Sequence, residues 1–272
     1  MEGPDADQLL LTRFNVARQA GSGLGVDPAW LDGRLALFER VCAPSVRAQH
    51  GPRRPWLVFV DARTPDAALA RIEAAAGPAG GVLVPVAGLL PVERLQQLVE
   101  DAVPLQHRVL LTTRLDNDDA LAAGHLDAVL RAADPDRQEF LNPTSGYQLA
   151  GSRAYATSDP SGPFLTLVEH RRPGRPPLTA FCTPHRAARR TAPVRQVGQG
   201  RLWVQLLHGQ NLVNAVTGVR VDNAALAHDF PHLAPGLAAD SRDGAYRLDR
   251  ARSLVRASLT RGRRGVLALA AR

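Results

Sequence analysis

With 272 residues the chain has material for one large domain or a domain plus a subdomain, and an apolar fraction of 45% is ordinary for a globular protein. No run approaches the roughly 20 apolar residues of a membrane span, the acidic start Met1-Glu2-Gly3-Pro4-Asp5 is unlike a signal peptide, and Cys42 and Cys182 lie outside any C-x-x-C, against a disulfide framework or zinc site. The net charge of +7 invites a nucleic-acid reading, but all 33 basic residues are arginine and the few aromatics are not interleaved with them, so no base-stacking platform is visible and no nucleic-acid partner is expected. A cytoplasmic protein with reduced thiols is the expectation.

Leu9-Leu10-Leu11 into Thr12-Arg13-Phe14-Asn15-Val16 reads as a first strand running into a polar tip that could meet a ligand. Gly21-Ser22-Gly23-Leu24-Gly25 comes too late after the strand, and lacks the third glycine at the right spacing, to be a dinucleotide fingerprint; it reads as a flexible loop. Trp30 to Gln49 carries apolar residues at helical spacing, with Pro44 breaking or kinking the helix and Ser45 restarting it. Trp56-Leu57-Val58-Phe59-Val60 is a continuous apolar run of the kind buried on both faces of a parallel sheet, and it ends in Asp61. Thr64-Pro65-Asp66 supplies an N-cap and a first turn for a helix over Ala67 to Ala76. Val82 to Val86 then reads as a strand and Pro91 to Glu100 as a helix.

The strand from Val109 ends abruptly in Asp116-Asn117-Asp118-Asp119. In extended backbone Asp116 and Asp118 point the same way, so two carboxylates with nothing basic beside them would converge as a site for Mn²⁺ or Mg²⁺, while Asp119 caps a following helix that runs through Ala133. The competing reading is a capped helix start with surplus surface acids. A calcium loop is excluded because Ala120 and Leu121 stand where a ligand and the obligatory glycine belong. This β-α-β alternation implies an open, largely parallel sheet whose polar strand tips at Thr12, Asp61 and Asp116 to Asp119 meet in one crevice.

After Pro135 the texture becomes loop-rich. Phe140 to Leu149 and Tyr155 read as edge or hairpin elements with Gly146 and Gly151 as turns, and Phe164 to Val168 is a further apolar run ending in Glu169-His170. The arginines at 171, 172, 175, 186, 189 and 190, with Pro173, Pro176 and Pro177, form a basic segment that is either a solvated linker or a cover for an anionic ligand. Trp203 to Leu207 is a strand with His208-Gly209-Gln210-Asn211-Leu212-Val213-Asn214 at its tip. From Gly236 onward the arginines and spaced Leu and Val residues suggest a basic amphipathic helix that could dock on the domain, on a partner or on an anionic membrane surface. The division expected is 1–134, 135–235 and a basic tail, 236–272. No G-x-S-x-G is present, and the absence of lysine excludes a lysine-dependent phosphate loop or Schiff-base chemistry.

Leu11-Thr-Arg-Phe-Asn-Val16, Trp56-Leu-Val-Phe-Val-Asp61 with Thr64-Pro65, Leu111-Thr-Thr-Arg-Leu-Asp-Asn-Asp-Asp-Ala-Leu121, Phe164-Leu-Thr-Leu-Val-Glu169 and His208-Gly209-x-Asn211-x-x-Asn214 together resemble the putative rhamnosyltransferase family, which belongs with glycosyltransferases of the GT-A type. The resemblance covers about residues 9 to 214. It implies a GT-A-like (Rossmann-like) α/β fold, an open mixed sheet flanked by helices, with a loop-rich acceptor part. It implies donor contacts from Thr12, Arg13, Asn15, Asp61, Arg114, Asp116 and Asn117. By the same resemblance Asp116 and Asp118 form a D-x-D on a divalent metal with His208, for which His185 competes, and Glu169 is the candidate base. The activity implied is transfer of a sugar, rhamnose by the family's name, from a nucleoside-diphosphate sugar to a hydroxyl of a glycan, lipid-linked or small-molecule acceptor, with the basic segments available for peripheral contact at the inner membrane face. The alternatives are a nucleotidyltransferase or pyrophosphatase acting on nucleotide sugars, and a non-catalytic glycan- or nucleotide-binding module.

Overall fold

In the computed structural model, residues 4–16, 23–102, 106–172, 174–209, 215–237 and 244–270 are described, and the structural statements below concern these residues. Gly21, Ser22, Pro173 and the stretch from Gln210 to Asn214 lie outside them.

In chain order the elements are β1 (Asp7–Arg13), α1 (Pro28–Leu37), α2 (Ala43–Arg47), β2 (Trp56–Asp61), α3 (Asp66–Ala76), β3 (Gly81–Val86), α4 (Val92–Ala102), β4 (Val109–Arg114), β5 (Ala120–Leu121), α5 (His125–Ala132), β6 (Glu139–Pro143), β7 (Ser145–Ala150), β8 (Arg153–Ser158), β9 (Thr166–His170), β10 (Val194–Val197), β11 (Trp203–Leu207), β12 (Val219–Arg220), α6 (Asn223–Asp229) and α7 (Gly244–Ala270). Two open sheets result, one in the order β10-β6-β9-β4-β1-β2-β3 and a smaller one in the order β12-β8-β7-β11-β5. The class is mixed α/β, with helices flanking open sheets.

Full burial of Trp56 to Asp61 explains why β2 lacks alternation. Trp56, Val58 and Val60 face a core shared with Leu31, Leu35 and Phe38, whereas Leu57 and Phe59 face Leu95 and Val99 of α4 on the other side. Asp27 starts α1 by accepting the Trp30 amide at 2.9 Å, with Pro28 in the first turn. A π-helical stretch over Phe38–Cys42 leads into α2, whose first turn holds Pro44. Proline cannot donate to the helical ladder, and the wider turn before it accommodates that loss.

The larger sheet is mixed, as the resemblance implied, and two other expectations need correction. Among the described strands of the larger sheet, β9 alone opposes the rest, pairing antiparallel with both β4 and β6, so the Phe164 run points away from the tips of its neighbours. Gly146 lies inside β7 and makes no turn; a Cβ there would stand 2.2 Å from the Trp203 ring, so the glycine is required for that tryptophan to cross the strand. The hairpin turn is at Gly151, whose φ of 57° suits glycine. Finally, α3 starts at Asp66 with Pro65 before it and no side-chain cap, because the Thr64 hydroxyl donates to the Asp61 carbonyl at 2.6 Å.

Candidate active site

β1, β2 and β4 run in parallel, so their C-terminal tips share one edge of the larger sheet, and β11 of the smaller sheet brings His208 to the same place. The acids after β4 are not extended. The Asp119 amide donates to the Asp116 carbonyl at 3.2 Å, closing a turn that sends the three carboxylates in different directions. Asp116 returns to Arg114, with Nη2 3.2 Å from both carboxylate oxygens. Asp118 Oδ2 meets Arg34 Nη1 at 2.5 Å and His208 Nε2 at 2.8 Å. Asp119 accepts the Leu206 amide at 2.9 Å, anchoring the acidic turn to β11. It therefore caps no helix, and α5 begins only at His125 with no side-chain cap.

The expectation of carboxylates with nothing basic beside them is thus overturned. Arg34 reaches Asp118 from the last turn of α1, and both side chains are nearly shielded from solvent, at 11% and 9% exposure. Asn117 locks the same turn, donating to the Phe14 carbonyl at 2.7 Å and accepting from Arg34 at 3.3 Å. Burial and then the charges of Asp118 and Asp116 push Asp119 well above the ordinary carboxylate range. Burial, reinforced by the three acids, likewise raises Cys42, whose thiol lies 3.7 Å from the Asp116 carbonyl. Both cysteines are free thiols.

One more arginine, Arg13, joins Arg114 at the edge. The guanidinium carbons of Arg13 and Arg114 sit 4.1 Å and 5.1 Å from the centre of the Phe181 ring, so one aromatic ring orients two cations. His185 opens a 3₁₀ turn close enough to feel the charges of Arg114 and Asp116. Its Nδ1 donates to the Ser161 carbonyl at 2.5 Å. A carbonyl only accepts, so this tautomer leaves the Nε2 lone pair available, and burial lowers the imidazole pKa toward the neutral form.

Other expected site residues serve the scaffold. Thr12 is fully buried and accepts the Trp56 indole N–H at 2.9 Å, facing no ligand space. Asn15 uses its whole amide to clip the tips together: Oδ1 accepts the Asp61 amide at 2.9 Å, and Nδ2 donates to Gly25 O and Thr64 Oγ1, each at 2.8 Å. Gly25 is needed there, since a Cβ would stand 2.3 Å from the Asn15 carbonyl, and residues Gly23–Val26 form a 3₁₀ turn. Asp61 lies at the expected edge, but its carboxylate is capped by Arg63 at 2.8 Å, which lowers its pKa chiefly through that hydrogen bond.

Glu169 is the largest displacement from expectation. On antiparallel β9 it sits opposite Leu110, four residues before Arg114, so about 13 Å of strand separates it from the acidic tip. Its oxygens accept the amides of Leu178 at 2.7 Å and Thr179 at 3.0 Å. Burial raises its pKa against those two bonds. It organises the 178–181 loop that carries Phe181 and stands away from the acidic turn. Of the basic segment, Arg171 pairs with Glu100 at 3.3 Å, and neighbouring Arg195 clamps the buried Glu139 at 2.6 Å.

The family model described as "Putative rhamnosyl transferase" matches residues 19–220. The chain belongs to this family. It is therefore a member of a glycosyltransferase family. S. aureus TarS 1-349 in complex with UDP-GlcNAc aligns at 11% identity and a TM-score of 0.47, over 92% of this chain and 72% of that one. The mannosyltransferase PcManGT from Pyrobaculum calidifontis, in complex with GDP-Man and Mn²⁺, aligns at 12% identity and a TM-score of 0.44, over 75% of this chain and 58% of that one. No curated protein matches the chain.

A divalent ion is compatible with the donor set. Among the described residues no three His, Cys, Asp or Glu side chains are grouped to hold a metal. Asp118 Oδ2 and His208 Nε2 nonetheless lie 2.8 Å apart, and such ions are commonly held by one or two protein ligands plus substrate phosphates. A carboxylate with an imidazole suits Mn²⁺ better than Mg²⁺, which prefers oxygen alone.

Proposed function

We propose that this chain transfers a sugar, rhamnose by the family's name, from a nucleoside-diphosphate donor to an acceptor hydroxyl at the tips of β1, β4 and β11. The observation that carries this reading is the meeting of Asp118, His208, Arg34 and Arg114 on one sheet edge, where α/β sheets bind ligands. Asp118 and His208 would hold the divalent ion, which when bound stabilises charge developing on the departing diphosphate.

The chain's own groups supply the rest. Arg13 and Arg114, fixed on Phe181, face the diphosphate as paired cations. Arg34 keeps Asp118 oriented across the turn. His185 Nε2 takes the proton of the acceptor hydroxyl as its oxygen bonds the anomeric carbon and the bond from that carbon to the phosphate oxygen breaks. Glu169 has no part in the step.

The test is hydrolysis of a panel of nucleoside-diphosphate sugars, nucleoside-diphosphate rhamnose included, with Mn²⁺ and with chelator, for the wild type and Asp118→Ala. Metal-dependent release of nucleoside diphosphate from one donor, absent in the variant, is the expected result. Release of sugar 1-phosphate or inorganic diphosphate would favour the pyrophosphatase or nucleotidyltransferase reading, and activity retained in Asp118→Ala would remove the acids from the chemistry.

A further inference from the structure

α7 presents two unlike faces. Tyr246, Asp249, Arg250, Ser253 and Ala257, spaced as one helical face, turn toward the smaller sheet. Asp249 accepts the Tyr155 hydroxyl at 2.8 Å, Arg250 donates to the Arg220 carbonyl at 2.9 Å, and the Arg220 amide donates to the buried Ser253 hydroxyl at 2.9 Å. The helix is therefore fixed along the β12 edge.

The opposite face is apolar and uncovered. Leu248, Val255 and Leu259 follow one another at seven- and four-residue intervals and are 51%, 63% and 65% exposed, with Leu254 at 44% on one flank. Among the described residues these four stand beside only three other exposed large hydrophobics, Val82, Leu89 and Leu178, which belong to separate elements. Exposed Arg247 and Arg252 border the stripe on its two sides. From Gly244 to Ala270 the sequence holds seven arginines and one aspartate, a net +6, so nearly all of the chain's +7 resides in this one helix.

We propose that this face of α7 lies on a bilayer surface containing anionic lipids, with Leu248, Val255 and Leu259 at the headgroup boundary and the flanking arginines on lipid phosphates. A helix with an apolar stripe between arginines and too many charges to span is the form that rests in the interfacial plane. Among the described residues no helix is long and apolar enough to cross a membrane. A nucleic acid would match the arginines but leave the central stripe in water, and a second copy would bring two +6 helices together. The docking is independent of the sugar-transfer reading, and the stripe residues lie outside the candidate active site.

The experiment is co-sedimentation of the full chain with vesicles of phosphatidylglycerol and phosphatidylcholine, and with phosphatidylcholine alone, for the wild type and the triple variant Leu248→Asp/Val255→Asp/Leu259→Asp. The far-UV circular dichroism and Tm of each protein are compared. Binding at least about tenfold stronger to the anionic vesicles, weakened by salt and lost in a folded triple variant, is expected. If the triple variant does not fold, Arg247→Ser/Arg252→Ser, which keeps the stripe, is expected to weaken anionic binding several-fold. Equal binding to both vesicle types overturns the proposal. So does anionic binding undiminished in whichever of these variants folds, a dimer in light scattering that the triple variant dissolves without any vesicle binding, or binding to a short DNA duplex in preference to vesicles.

Discussion

At the C-terminal end of β4, Asp116 and Asp118 are met by Arg114, Arg34 and His208, and the turn that carries them opens on an edge shared by three strand tips. Beside the other end of β4, Glu169 of β9 is buried and just as much the acid closing an apolar run, yet it faces two backbone amides. The contrast is between charges held by other side chains at the shared edge of the strand tips and a charge consumed in holding a loop. Strand direction decides which acid falls where, because β9 alone among the described strands of the larger sheet runs against the rest.

Four changes would break or sharpen that contrast. The largest effect is expected from Asp118→Asn, which should lower kcat for donor hydrolysis by about 10³-fold, several kcal/mol of lost charge stabilisation, whereas Glu169→Gln should stay within about threefold; steady-state kinetics of the two variants side by side would measure this. Next in size is a pH effect on stability that must be separated from any acid limb of activity. Burial lowers the pKa of His125 to about 4 from 6.5. Above about pH 6.5 the group leaves stability unchanged. Below it the unfolded chain takes up a proton that the folded one refuses, so stability falls until about pH 4, by up to about 3 kcal/mol. Urea unfolding across that range should show the slope, and His125→Gln should flatten it.

His185→Gln should lower kcat by about 10²-fold while KM changes little, and should remove the acid limb of the kcat profile. A parallel fall in Tm, with kcat unchanged in the folded fraction, would make it a scaffold residue like Glu169. The smallest effect is on the stability of Glu169→Gln itself. One of its two amide donors would then face an N–H₂ group, at a cost of about 1–3 kcal/mol in denaturant unfolding.

Much of the scaffold was legible in the sequence because β2 and β4 are buried along their whole length and so read as unbroken apolar runs. The acidic turn after β4 and the histidine after β11 could be singled out for the same reason, since each ends such a run. The direction of β9 was not legible in its own residues, because an antiparallel strand buried on both faces has the same apolar signature as a parallel one, and the role expected of Glu169 came from the family resemblance. Arg34 was missed because its partner Asp118 lies 84 positions away, although an arginine beside Leu35 on the inner side of a helix was a usable signal. Thr12 and Asn15 looked like ligand contacts because polar residues at a strand tip can equally tie tips together, and only the Trp56 and Asp61 bonds distinguish the two roles. Gly146 resembled a turn because its partner, Trp203, is contributed by another strand.

The central claim is that the chemistry belongs to the shared tips of β4 and β11. It is tested most directly by anomalous diffraction at the manganese edge from crystals grown with Mn²⁺ and a nucleoside diphosphate. A single strong peak bonded to Asp118 and His208, with the diphosphate beside Arg114, is the predicted result. Ordered nucleoside diphosphate elsewhere, or manganese absent from Asp118 while bound at another site, would contradict it.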